Sequence, residues 1–174
     1  SAWTVDFIEF IKNMYPALSE SEAIDAGSRV VYDHARSVGI SDARHFHAVT
    51  RVTDPIERLS TGPLHFSYTG WAKVEILPES RPRPDESYFL VYDHINTFES
   101  DAWIKARDRV DFCTCYQSAG YSAGWCTESF DVPLDAREIT CRARGDASCR
   151  FVMAHRDRID EMVENGDRKA KTVQ

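Results

Sequence analysis

The chain has 174 residues and a mass of 19.9 kDa, the size of one domain or of a domain with a short helical annex. With 43% hydrophobic and 28% charged residues it can bury an ordinary core, which excludes wholesale disorder. No apolar run approaches the roughly 20 residues of a membrane helix, and Ser1-Ala2-Trp3 opens no signal peptide. A net charge of −7 without a basic cluster argues against a nucleic-acid surface, so a cytoplasmic protein is expected.

Thr4 to Tyr15 carries Ile8, Ile11 and Tyr15 at helical spacing and stops at Pro16. Ser19-Glu20-Ser21-Glu22 forms a capping box before a stripe of Ile24, Gly27, Val31, Ala35 and Val38, which closes at Gly39. His45-Phe46-His47 would set two imidazoles on one face of a strand, a pattern too common to define a second metal site. From His65 the period becomes two: Phe66, Tyr68, Ala72, Val74 and Ile76 share one parity, predicting a strand over 64–78 with a bulge at Gly70. Tyr88 to Tyr92 forms a second strand, joined to the first by the polar, proline-rich loop 79–86. Asn96-Thr97 caps a helix holding Phe98, Ala102 and Ala106, which ends in the charged break Arg107-Asp108-Arg109.

A further helix runs from about Phe112 to Ser129, lined by the small residues Cys115, Ala119, Ser122, Ala123 and Cys126, which permit close approach to a sheet. Two last strands, near Leu134 to Ala143 and Ser148 to Ala154, flank Arg144-Gly145-Asp146-Ala147. A charged helix follows from about Arg156, with Ile159, Met162 and Val163 as an apolar edge suited to pairing with a neighbour, and Asn165 to Gln174 reads as a linker. The order of elements predicts an α+β protein, an antiparallel sheet packed with helices.

Of five cysteines, four lie between Cys113 and Cys141, with Cys149 just beyond; in a chain without secretion signals such clustering points first to a metal. A symmetric turn about Gly145 sets Cys141 opposite Cys149, and opposed residues in an antiparallel pair have Cβ atoms about 4.5–5.5 Å apart. Two thiolates then converge as a tetrahedral zinc requires, with Cys115 and Glu138 as the leading candidates for the remaining positions. A regular strand would send residues 138 and 141 to opposite faces, so the pleat has to break between them. Surplus negative charge would be offset by backbone amides or by Arg142, Arg144 and Arg150. The same spacing also suits a Cys141–Cys149 disulfide or simple core thiols; Cys113 and Cys126 are read as core thiols.

Three stretches carry a family resemblance: Cys115-Tyr116-Gln117-Ser118-Ala119-Gly120-Tyr121-Ser122-Ala123-Gly124, Arg137-Glu138-Ile139-Thr140-Cys141, and Ala143-Arg144-Gly145-Asp146-Ala147-Ser148-Cys149-Arg150-Phe151. They resemble the signature of the 4-vinyl-reductase domain family, and most of all the N-terminal sensory domains of bacterial activators that respond to phenols and alkylbenzenes. The resemblance extends through Pro55-Ile56-Glu57-Arg58-Leu59, Gly70-Trp71 and Asn96-Thr97-Phe98-Glu99, covering roughly residues 50 to 155. It implies a structural zinc on Cys115, Glu138, Cys141 and Cys149, whose separations of 23, 3 and 8 residues match the family pattern. It further implies a plait related to subunits of vesicle-trafficking tethers, with the zinc motif closing one side of a buried cavity. Residues 1–45 would be a helical dimerisation segment, 46–155 the zinc-containing ligand-binding domain, and 156–174 a linker helix to a downstream output domain.

Within such a fold, Phe66, Tyr68, Trp71, Tyr92, His94, Phe98, Tyr121 and Trp125 are candidates to line a cavity for a small hydrophobic or aromatic ligand, with core packing as the alternative. Phenol-responsive relatives grip the hydroxyl with a histidine and a tryptophan. The region matching that tryptophan reads Tyr92-Asp93-His94 here, and nothing near Phe66 matches that histidine. Gly120-Tyr121-Ser122-Ala123-Gly124, followed by Asp146 and His155, satisfies the G-x-S-x-G order of α/β-hydrolases but lacks the preceding Val/Ile-rich strand and a glycine-rich oxyanion loop. No dinucleotide fingerprint accompanies the reductase resemblance. A non-catalytic sensor that forms homodimers is therefore the leading expectation, with an assembly domain or a tetrapyrrole-binding protein as the rivals.

Overall fold

The computed structural model describes residues 3–164; Ser1-Ala2 and the expected linker 165–174 lie outside the described residues. Helix α1 (Trp3–Met14) is followed by α2 (Glu20–Thr50), where the expected capping box forms: the Ser19 side chain accepts the Glu22 amide, and the Glu22 carboxylate accepts the Ser19 amide at 2.8 Å. Unlike the expectation, α2 does not close at Gly39 but continues to Thr50, so the anticipated boundary at residue 45 falls inside it. His45-Phe46-His47 is accordingly helical, with His45 exposed and His47 buried edge-on to Trp125.

Gly39 is there for packing. A Cβ at Gly39 would lie 2.3 Å from the Tyr121 carbonyl oxygen, one at Gly120 2.2 Å from that of Tyr32, and one at Gly124 2.1 Å from that of Arg36. The three glycines let α2 and α5 (Tyr116–Phe130) cross backbone to backbone. The G-x-S-x-G sequence thus lies within a helix and serves this crossing. Its Ser122 hydroxyl donates to the Ser118 carbonyl at 2.8 Å, and Asp146 is engaged instead by the Cys141 amide.

Segment 64–78 is corrected. Helix α3 (Pro55–Tyr68) occupies its first part, and strand β1 (Ala72–Ile76) only the second. Asp54 caps α3, accepting the Ile56 and Glu57 amides at 2.9 and 3.0 Å, with Pro55 at the first turn where a missing N–H costs nothing. Leu59 and Phe66, two turns apart, turn inward, so Phe66 is a helical residue. Gly70 is the left-handed turn after this helix, φ 76°, and the strand irregularity falls between Ala72 and Val74.

Strand β2 (Phe89–Thr97), helix α4 (Phe98–Arg107), α5, β3 (Leu134–Thr140) and β4 (Cys149–His155) complete the domain. The sheet is antiparallel throughout in the order β1-β2-β4-β3. Alternation sorts the two faces. Leu90, Tyr92, Phe151 and Met153 join the helix-side core with Ala119, Ala123 and Cys126, while Val91, Val152 and Ala154 point the other way. That outer face is covered by Ile159, 3% exposed, with Met162 and Val163 packed beside it. The apolar edge expected to seek a neighbour is thus spent within the chain. At the β3 edge, outward backbone groups are met by side chains: the Ala136 amide donates to the Tyr32 hydroxyl at 3.0 Å and the Leu134 amide to the Thr127 hydroxyl at 3.2 Å.

Because a methyl group at Gly124 meets a carbonyl rather than a yielding side chain, Gly124→Ala is expected to destabilise the domain by about 2–3 kcal/mol, measurable as a shifted urea midpoint at unchanged slope.

Candidate functional site

Four expected metal ligands converge from three directions. Cys115 sits at the N-terminus of α5, Glu138 on β3, Cys141 just after β3, and Cys149 at the first residue of β4. One ligand atom from each lies within 4.8 Å of all the others. The Sγ atoms of Cys115 and Cys149 are 3.6 Å apart and those of Cys149 and Cys141 4.0 Å, bracketing the roughly 3.8 Å edge of a tetrahedron with zinc–sulfur bonds of about 2.3 Å. All five cysteines are free thiols, so no Cys141–Cys149 disulfide forms. The pleat breaks where spacing demanded it: the β3–β4 register shifts between Glu138 and Thr140, bringing Glu138 and Cys141 to one side. Gly145, φ 97°, makes the turn between the last two ligands.

The donor set fits a soft or borderline divalent cation. Burial pushes the Cys115 thiol and the Glu138 carboxyl well above their ordinary pKa values. Cys141 is pulled down by hydrogen bonds from the Cys115 and Cys149 thiols. The cluster therefore shares little negative charge among four acids, and a dication would replace the protons that hold them together. Glu138 Oε2 accepts the Cys115 amide at 2.8 Å, while its buried Oε1 has no partner, as an oxygen reserved for a metal would.

The surrounding shell differs from the expected arginines. Arg142 binds Asp101 at 2.6 Å, Arg144 reaches Cys113 at 3.5 Å, and Arg150 forms a two-bond pair with Asp93 at 2.7 and 2.8 Å. The partners of the ligand sulfurs are small: the Thr97 and Thr114 hydroxyls lie 3.3 Å from Cys115 and Cys141, and the Arg142 amide donates to Cys149 at 3.4 Å. Glu99 is a buried neighbour of the cluster that sequence reasoning missed. Fully buried on α4, it accepts the Gln117 and Ser118 amides at 2.8 Å each, taking the capping role that Cys115 leaves open. Burial raises its pKa to about 7 against those two bonds.

The expected pocket residues form one connected set of rings, apart from Tyr68, which is 84% exposed on the outer side of α3. Ring centroids lie 5.1 Å apart for Phe66 and Trp71, 4.7 Å for Trp71 and Tyr121, 5.5 Å for Trp71 and Phe98, and 5.3 Å for Phe66 and His94. The cavity itself lies between α3, β1, β2 and α5, with an internal volume of about 40 Å³. Of the expected residues only Phe66, Tyr92 and Trp125 line it; Leu59, Pro63, Cys126 and Met153 are walls that sequence reasoning did not name. His94, 0% exposed, packs against Tyr92 and Phe151 at 5.4 and 4.6 Å with both ring nitrogens unpartnered. Burial lowers its pKa to about 3, so the imidazole is neutral.

If the cluster holds a metal, elemental analysis of purified protein will find one divalent ion per chain. Cys149→Ser should abolish it and lower the thermal midpoint by on the order of 10 °C, roughly 3 kcal/mol for a domain of this size. Cys113→Ser, outside the cluster, should retain it.

No family model matches the chain, and no curated protein sequence matches it, so the 4-vinyl-reductase resemblance stands on its motifs alone. Among solved structures, the phenol-responsive sensory domain of the transcription activator PoxR, determined with phenol, superposes with a TM-score of 0.72 at 17% identity, covering 87% of this chain and 74% of that one. Subunit 3 of a trafficking protein particle complex from Naegleria fowleri, covalently bound to palmitic acid, superposes with a TM-score of 0.57 at 9% identity, covering 88% and 93%. The chain shares the fold of these two structures.

Proposed function

We propose that this chain is the sensory domain of a bacterial transcriptional regulator, in which a structural zinc on Cys115, Glu138, Cys141 and Cys149 fastens a cavity for a small, uncharged aromatic molecule. The observation that carries the reading is the apolar cavity walled by Phe66, Tyr92 and Trp125 beside a neutral, unpartnered His94, in a fold shared with a domain crystallised with phenol. Four protein ligands leave the zinc no open position, so it holds structure and catalyses nothing. No helix among the described residues is long and apolar enough to cross a membrane, and a cytoplasmic location suits a regulator of this kind.

A single aromatic ring needs a cavity on the order of 150 Å³, so binding enlarges the space of about 40 Å³. The yielding wall is α3, whose Gly62-Pro63 step lines the cavity and interrupts the helix ladder. Enlargement also presses on β2 and β4, whose outer faces carry Ile159, Met162 and Val163. That segment is the exit by which occupancy reaches an output domain, as a shift between two populations.

Homodimerisation belongs to the same reading. Phe10 and Met14, 53% and 55% exposed, extend the side of α1 on which Phe7 stacks on Phe10 and Trp3 tilts against Phe7, away from the face that buries Thr4, Val5 and Ile8. Two copies would bury this stripe against each other. Light scattering should report a dimer, and Phe10→Glu should yield a folded monomer.

Thermal-shift measurements with phenol, toluene, palmitate and a porphyrin test the ligand class. Stabilisation by the single-ring aromatics is expected. No response to either, with stabilisation by palmitate or a pigment spectrum with porphyrin, would replace the sensor with a lipid-holding assembly domain or a tetrapyrrole protein.

A further inference from the structure

Two of the four cluster ligands face open space. Cys115 and Glu138 line a cleft of about 620 Å³ between α2, the start of α5 and β3, which Arg29 and Asp33, both exposed on α2, also line. Cys141 and Cys149, 0% exposed, do not reach it. The apolar cavity beside Phe66 is lined by none of the four, and its walls would strip an ion of its water without replacing it. A hollow of about 400 Å³ beside β1 and α4 stops at Thr97, 1% exposed, whose hydroxyl lies 3.3 Å from the Cys115 sulfur and fills the way to the cluster.

Within the cluster Glu138 differs from the sulfurs. It is half-buried where the three cysteines are 0% exposed. It stands where the β3–β4 register shifts, so the ladder does not clamp the chain on its far side. Its Oε2 accepts the Cys115 amide at 2.8 Å, and a carboxylate that released an ion would keep this partner. A carboxylate oxygen is also a weaker donor to a borderline ion than a thiolate. We propose that the cleft is the port through which the ion enters and leaves the cluster, and that Glu138 is the ligand that opens first while the three cysteines keep their hold. The inference rests on the metal reading of the cluster. The centre is then exchangeable from one side, with the cysteines as its anchor and Glu138 as its latch.

Replacement of bound zinc by isotopically labelled zinc, followed on the loaded protein, tests the port in wild type, Arg29→Trp and Lys73→Trp. An obstructed port raises the barrier equally in both directions and leaves the end states alone. Arg29→Trp should therefore slow exchange on the order of fivefold, while the affinity measured by chelator competition at equilibrium stays within about twofold. Lys73→Trp, at the hollow beside β1, should exchange at the wild-type rate. Asp33→Trp, one turn further along α2, repeats the test should Arg29→Trp not fold. Wild-type rates in the α2 variants, or slowing by Lys73→Trp instead, overturn the port. Cobalt-loaded wild-type protein mixed with EDTA tests the latch. Opening at Glu138 should alter the d–d bands in the first phase while the sulfur-to-cobalt charge-transfer band keeps its full intensity; a first phase in which that intensity falls overturns the assignment. Either failure leaves one ion per chain, and with it the metal reading, intact. A chain that retains neither zinc nor cobalt removes the metal reading and this inference together.

Discussion

The backbone crossing of α2 and α5 is the constraint on which the rest depends. At Gly120 and Gly124 the main chain of α5 comes so near the Tyr32 and Arg36 carbonyls that no side chain fits, and Gly39 repeats the arrangement from the α2 side. This contact fixes both the depth and the rotation of α5. Its N-terminus then delivers Cys115 to the sulfur cluster, and its next turns deliver Tyr121, Ser122, Trp125 and Cys126 to the aromatic network and the cavity. The sulfur cluster and the cavity are thus served by one helix, held by one close approach.

The cluster answers a problem of topology. The Cys141–Cys149 turn leaves the sheet on a 3-10 step at Arg142–Arg144, with Ala143 as its buried apolar residue. Its two sulfurs meet Cys115 of the helix and Glu138 of the neighbouring strand, so a shared ion would tie the turn to both. The second layer follows the same economy. Thr97 and Thr114 stand against sulfur, and Glu99 closes the N-terminal amides of α5, so the start of α4 and the start of α5 are linked through polar groups, while Trp103 of α4 meets Phe112 of the following loop edge to face at 5.2 Å.

The convergence of Cys115, Glu138, Cys141 and Cys149 was legible in the sequence in its local part: a glycine-centred turn relates Cys141 to Cys149, and the parity conflict between residues 138 and 141 announces the bulge that was found. The strand and helix order from Phe89 onward was legible for the same reason. Segment 64–68 was misread because Phe66 and Tyr68 continue the parity of Ala72 and Val74; the competing evidence was Asp54-Pro55, a helix start whose inward positions Leu59 and Phe66 lie a full two turns apart. Gly39 looked like a stop because a helical glycine kept for the passage of another backbone is indistinguishable, in one sequence, from a terminating one. Glu99 and the outer-face packing of Ile159 were not legible at all, since each depends on an element distant in the chain.

Tyr32 carries a consequence of another kind. By holding the Ala136 amide, with Thr127 holding that of Leu134, it occupies hydrogen-bonding sites that an incoming strand would need. The sheet is therefore sealed on the β3 flank against growth by a foreign chain. A second chain approaching that border would have to displace Tyr32 and Thr127 before its backbone could pair there.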